Sequence, residues 1–331
     1  PARRLIEASS EDDAVGAVTS AGDSLFVMSG GSNLVVADEG IDGTVIRINN
    51  RGISLSGNAE TARVNVAAGE PWDEAVACCV SEGLAGIECL SGIPGSTGAT
   101  PIQNVGAYGQ EVSTTISSVR AYDRQRGQVV ELSPERCGFA YRTSAFKQSD
   151  RHVVLGVCFV LQRSEAAKPV QYAELARALD VEIGARPPLS EVRMAVLALR
   201  RRKGMVIDPD DPDSVSAGSF FVNPILSREE FAAFERRAVE KLGSEVKPPR
   251  WPEADGRMKT SAAWLIERAG FHRGYGDGRI GVSSKHTLAL VNRGEGTTEE
   301  LLTLARELRD GVSSKFGVTL RPEPTLVGVA L

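Results

Sequence analysis

A chain of 331 residues, 42% hydrophobic and 24% charged, has apolar mass for two or three globular domains. Its net charge of −5 gives no general attraction to nucleic acid or an anionic membrane, so an anionic ligand needs a local cluster of cations. No apolar run approaches the roughly 20 residues of a membrane span, and the opening PARRLIEASS lacks a signal peptide's apolar region.

In chain order, SSEDDAVGAVTSAG reads as a helix with Ser10 at its N-cap and acids behind it. LFVMSGGSNLVVAD and GTVIRI read as strands around a glycine-rich turn. A strand ends at Gly69, Pro71 suits a first helical turn, and a helix runs to Gly83. The next stretch, SGIPGSTGATPIQNVGAYGQEV, is too irregular for a helix and too long for an idle loop. SVRAYDRQRGQVVEL then reads as a hairpin and HVVLGVCFVLQ as a buried strand. Helical patterns follow at YAELARAL and SEVRMAVLALRRRKG.

Beyond the acidic DPDDPD, Ser227 and Glu230 form a capping box for a helix with Phe231, Phe234, Ala238 and Leu242 on one face. TSAAWLIERAG is a helix ending at glycine, and HTLALVN is a strand. Thr297 and Glu300 open a last helix that Gly311 is expected to close. Hairpins mixed with helices make the fold class α+β, in three parts.

The five cysteines lack CxxC spacing and read as small buried hydrophobes in a reducing compartment. Three histidines without HxH or HxxxH spacing argue against zinc, so no metal site is expected. GDGRIG, from Gly276 to Gly281, matches GxGxxG in letters. A dinucleotide turn must follow a strand and open a helix, whereas these glycines follow a helix and precede a strand, so they read as a loop.

Two other glycine loops have the chemistry of an anion nest, although each alone reads equally as a structural loop. The first comprises Ser29, Gly30, Gly31, Ser32 and Asn33, with Leu34 after it. The second supplies Ser91, Gly92, Pro94, Gly95, Ser96, Gly98, Ala99, Gln103, Asn104, Gly106, Ala107 and Tyr108. Ser219, between Gly218 and two phenylalanines in SAGSFFVNP, is either a loop hydroxyl bonded to its own backbone or a reacting group. Arg142 and Glu323, read alone, are ordinary surface charges, and cations in RRRK suit a helix C-terminus.

The order GGSN, IPGSTGATPIQNVGAYGQE, YRTSAF, SAGSFFVNP, LRPEP resembles the UDP-N-acetylenolpyruvoylglucosamine reductase family, from about Leu25 to Gly328. The resemblance implies flavin-binding domains of the vanillyl-alcohol-oxidase type: a subdomain at 1–57 to which 319–331 returns, a second at 58–206, and a UDP-substrate domain at 207–318. It implies non-covalent FAD held by the two loops, NADPH as reductant, and UDP-N-acetylglucosamine enolpyruvate as substrate. Hydride passes from flavin N5 to C3 of the enolpyruvyl group, and Ser219 protonates C2. Arg142 binds the carboxylate and stabilises the enolate, a planar fork meeting a planar acid, and Glu323 completes the network near C2. Lys203 and Asn223 contact phosphate, Tyr172 closes over the substrate as in one branch of the family, and His286 lies on the uridine side.

Val222 stands where many members have a basic residue, and no arginine follows Glu323 at Pro324-Thr325. A family segment containing GG is expected before Pro1. A monomer in the bacterial cytoplasm is implied, with no nucleic-acid partner. The alternatives are a flavin oxidase of the same fold acting on another substrate, and a non-catalytic UDP-sugar-binding or scaffold protein of cell-wall synthesis.

Overall fold

A computed structural model describes residues 1–22 and 24–331. It forms two compact units, one comprising 1–31 and 41–202, the other 32–40 and 203–331.

The first unit carries two sheets. Strands Ala2–Ala8, Ile41–Ile48 and Leu25–Met28 form a parallel sheet with Ile41–Ile48 at its centre. The larger sheet is antiparallel, in the order Gln128–Leu132, Ile116–Asp123, His152–Arg163, Thr61–Ala67, Ile53–Gly57. His152–Arg163 is central to it, which explains its near-continuous run of buried apolar residues. Ile46 of one sheet and Val64, Val157 and Phe159 of the other share a single core, which also takes in Trp72. Asn50, buried in that core, donates through Nδ2 to Leu155 O (2.9 Å) and accepts from Gly69 N–H (2.8 Å). Both ends of a costly buried amide are thereby satisfied.

In the second unit, Ser216–Ser219, Ala289–Asn292 and Ile280–Val282 form an antiparallel sheet. Its core joins Phe220, Phe221, Phe231, Phe234, Leu308 and Phe316. The strand Thr325–Val327 pairs in parallel with Leu34–Val36.

The capping boxes at Ser10, Ser227 and Thr297 all form, and Ala262–Ala269 ends at Gly270 as expected. Three expectations need correction. The last helix runs through Gly311 to Phe316 and closes at Gly317, whose φ of 70° is left-handed. Gly311 is small for packing, because a Cβ there would lie 2.6 Å from Cε2 of Phe271. Within GDGRIG, Ile280 and Gly281 belong to a strand, Ile280–Val282; no helix follows, so there is no dinucleotide turn. The strand expected over HTLALVN begins only at Ala289, because His286–Leu288 form the turn that Ala289 N–H closes on His286 O (3.0 Å).

Candidate functional site

In the first unit the long glycine loop is bound to the strand and helix before it. Gly98 N–H donates to Ala68 O (2.8 Å), Thr97 N–H to Glu70 O (2.8 Å) and Trp72 N–H to Gly95 O (2.9 Å). A Cβ on Gly98 would sit 2.5 Å from the Ala68 Cβ, so only glycine permits this approach. The two glycine loops touch: Ser96 N–H donates to Ser29 Oγ (3.0 Å), and a Cβ on Gly30 would lie 3.8 Å from Gly95 Cα. Added side chains would fill this cradle. Its residues are glycine, serine, threonine, proline and alanine, without an acid to repel phosphate. Small side chains that leave room, and no loop acid to repel charge, fit the pyrophosphate of a flavin dinucleotide. The first loop is divided, with Ser29, Gly30 and Gly31 in the first unit and Ser32, Asn33 and Leu34 in the second, where Asn33 O accepts from Thr325 N–H (3.0 Å).

Several expected cofactor residues hold the loop from inside. Ser91 is wholly buried and its Oγ donates to Glu88 O (2.7 Å). Asn104, buried with φ 46°, donates through Nδ2 to Glu111 Oε2 (2.9 Å) and Ala140 O (3.2 Å), and accepts from Ser113 N–H (3.1 Å). Gly92 N–H donates to Asp73 Oδ1 (2.5 Å), and Arg193 grips the same carboxylate in a fork (2.6 and 2.9 Å). Burial works to raise the Asp73 pKa, but the bonds from Arg193 and Gly92 outweigh it and hold the carboxyl below its ordinary range. Sequence reasoning missed Asp73, since an acid in a first helical turn already has an explanation in the helix dipole. Gln103, Pro94 and Ala99 are half-buried along the same loop.

Arg142, at φ 54°, lies against the end of this loop. Its Nη2 donates to Gly106 O (2.7 Å) and its Nη1 to Asn104 O (3.4 Å), and the guanidinium stands over the Tyr141 ring at 5.4 Å. Gly106 and Ala107 form half of a two-stranded ribbon with Gln110 and Glu111. Tyr108, at its tip, meets Tyr172 edge to face with centroids 6.1 Å apart. Burial, helped by Glu174, pushes the Tyr108 hydroxyl up to about 12, so it stays protonated at neutral pH. Tyr172 is half exposed, just ahead of helix Ala173–Leu179.

In the second unit, Ser219 ends the strand Ser216–Ser219. Ser216 pairs with Val291 and Ser219 with Ala289, so the first strand carries one extra residue. Gly218, at φ 75°, absorbs that bulge. Such bulges redirect the next side chain, and Ser219 Oγ lies 3.3 Å from His286 Nε2. Phe220 and Phe221 are both about 1% exposed and pack edge to face, which anchors the serine's backbone. Phe220 O accepts from Glu323 N–H (2.8 Å), Val222 N–H donates to Arg321 O (3.1 Å), and Phe221 bridges Pro322. Ser219 and Glu323 are thereby on adjoining backbone segments. Asn223 Oδ1 accepts from Ala262 N–H (3.0 Å), which secures a helix start and leaves the NH₂ end as the donor an anion requires. Lys203, half-buried, opens the longer segment of the unit. Among the described residues, no group of three His, Cys, Asp or Glu is placed to hold a metal ion.

Residues 2–133 match the model of an FAD binding domain, and residues 210–327 match that of the UDP-N-acetylenolpyruvoylglucosamine reductase C-terminal domain. The UDP-N-acetylenolpyruvoylglucosamine reductase of Thermobifida fusca is 58% identical, covering 100% of this chain and 94% of its own. That of Streptomyces coelicolor is 56% identical, covering 100% and 87%. The crystal structure of the Thermus caldophilus reductase, 24% identical, aligns over 98% of this chain and 91% of its own with a TM-score of 0.64, a likeness of fold. With the glycine cradle and the aimed serine each built by the fold, the chain belongs to the UDP-N-acetylenolpyruvoylglucosamine reductase family.

Proposed function

We propose that this chain reduces the enolpyruvyl ether of UDP-N-acetylglucosamine enolpyruvate to UDP-N-acetylmuramate, with Ser219 as proton donor. It is an NADPH-dependent oxidoreductase of peptidoglycan synthesis. FAD, held by the Ser29–Gly31 and Ser91–Tyr108 loops, supplies hydride transfer from NADPH to C3 when bound. One observation carries the assignment of the proton: the bulge at Gly218 that aims Ser219 Oγ out of the strand. A serine is a weak acid, so it serves only against a strongly basic carbon, held at hydrogen-bond distance with water excluded.

The remaining roles follow from donor chemistry. Arg142 pairs with the substrate carboxylate, its position supported by the bond to Gly106 O. Glu323, tied through its N–H to Phe220, completes the network around C2. Lys203 and the NH₂ of Asn223 bind the diphosphate and Tyr172 closes over the substrate, while His286, expected on the uridine side, stands 3.3 Å from the Ser219 hydroxyl. The division into parts at 1–57 with 319–331, 58–206 and 207–318 belongs to the same reading. So do a monomeric state and a place in the cytoplasm, the latter supported by five free cysteines.

The test is an anaerobic titration followed at the flavin absorbance, with NADPH added first and UDP-N-acetylglucosamine enolpyruvate second. Bleaching and then recovery is the expected result. Bleaching without recovery discards the substrate, and protein that takes up no FAD discards the enzyme.

A further inference from the structure

Ser219 Oγ and His286 Nε2 are 3.3 Å apart, and both are built into fixed backbone. Ser219 pairs across the sheet with Ala289, three residues beyond the histidine. The turn that carries His286 is secured at every position. Lys285 N–H and His286 N–H both donate to Ser283 Oγ (3.0 and 3.2 Å), and Ser283 is fully buried. Ser284 donates to Asp213 through its N–H and its Oγ (3.1 and 2.5 Å), and Lys285 Nζ reaches Asp211 (2.7 Å). Thr287 Oγ1 donates to Glu267 (2.6 Å). A loop so thoroughly tied holds its imidazole in place.

The direction of the Ser219–His286 bond matters for chemistry. If Nε2 were the acceptor, the serine proton would point at the histidine and be lost to the substrate. If Nε2–H donates, Oγ is the acceptor and its own proton is left for C2. We propose that His286 is the positioning residue of Ser219, donating from Nε2–H to Oγ so that the serine proton faces the substrate carbon. This rests on Ser219 being the proton donor. In the step, the Ser219 O–H bond breaks as the electron pair at C2 takes the proton into a new C–H bond. The alkoxide left behind is held by Nε2–H, a bond that strengthens as charge develops, and water then returns a proton to Oγ.

The experiment mixes anaerobic, NADPH-reduced enzyme with saturating UDP-N-acetylglucosamine enolpyruvate and records flavin reoxidation, with substrate affinity measured separately at equilibrium. His286→Leu is expected to slow reoxidation about ten- to a hundredfold, the worth of one hydrogen bond to a charged group. His286→Gln, whose amide can donate from about the same place, is expected to recover most of that loss. In a Ser219→Ala background, His286→Leu is expected to add nothing. ¹⁵N NMR of the imidazole, with only His152 and His272 to distinguish from it, is expected to show the Nε2–H tautomer and a shift on Ser219→Ala. Full-speed reoxidation by His286→Leu with weakened substrate affinity would leave it a binding residue only, and overturn the proposal. So would additive losses in the double variant, or an Nδ1–H tautomer. Wild-type reoxidation by Ser219→Ala alone would instead overturn the proton-donor reading beneath it. Should His286→Leu fail to fold, His286→Gln and the tautomer decide.

Discussion

Ser219 owes its aim to the residue before it. Gly218 at φ 75° lets the strand carry one residue more than its partner, and that is a backbone state a side chain resists. In its proposed role the serine is needed only when C2 is protonated. Ser219→Ala should therefore leave flavin reduction by NADPH near its normal rate and slow reoxidation by the enolpyruvyl substrate about 10²- to 10⁴-fold. Stopped-flow traces of the two half-reactions check this, and equal losses in both would make the serine structural.

Asp73 acts on the other loop. Gripped by Arg193 and bonded to Gly92 N–H, its carboxyl has a lowered pKa in the folded protein. A depressed carboxyl contributes stability that is fully present above the unfolded value of about 3.9 and is lost as pH falls through the lower folded value. Asp73→Asn should cost about 1–2 kcal/mol at neutral pH and almost nothing at strongly acid pH, where both proteins lack the charge. Urea unfolding at the two pH values measures it. A gap of the same size at both would show that the ion pair is not its source. The sequence offered Ser219 as a candidate because a hydroxyl between glycine and two phenylalanines is odd, whereas Asp73 looked ordinary. Its importance comes from Gly92, nineteen positions away.

Among the elements, helices were the most legible. A cap and its answering acid lie three residues apart, so Ser227 with Glu230 and Thr297 with Glu300 specify their bonds locally. Gly311 misled for a physical reason. Glycine is a common helix stop, yet here it makes room for the Phe271 ring and the helix continues to Phe316. In an unconstrained helix Gly311→Ala would stabilise by about 1 kcal/mol. Against a ring 2.6 Å from the new Cβ, overpacking of about 1–3 kcal/mol should prevail. The variant's Tm should fall, and a rise would show that Phe271 yields freely. Strands were harder to read. LFVMSGGSNLVVAD looked like one motif, but Leu25–Met28 joins Ile41–Ile48 while Leu34–Val36 joins Thr325–Val327.

For the whole molecule, an FAD site present in the native state and not in the unfolded chain makes stability depend on FAD concentration. At a hundredfold excess over Kd the gain is about 2.7 kcal/mol, visible as a Tm that climbs with added FAD. Gly98→Ala, which drives a methyl into Ala68, should lose much of that climb, and an undiminished response would show that the loop reaches its place without the close approach. UDP-substrate added without FAD provides the comparison for ligand binding elsewhere on the chain.

By itself the sequence determined what short-range chemistry can encode: capped helices, apolar faces, glycine-rich loops free of acids, and five motifs whose order carries the family. These depend on neighbours within a few residues, or on residue types alone. Only the tertiary structure decided which distant segments meet. It put Ser29 against Ser96, Asp73 under Gly92, Glu323 beside Phe220 and His286 beside Ser219. Each of those pairings is fixed by burying large side chains such as Trp72 and Phe220 and by satisfying the backbone groups buried with them. That condition belongs to the folded chain as a whole, and no local run of residues states it.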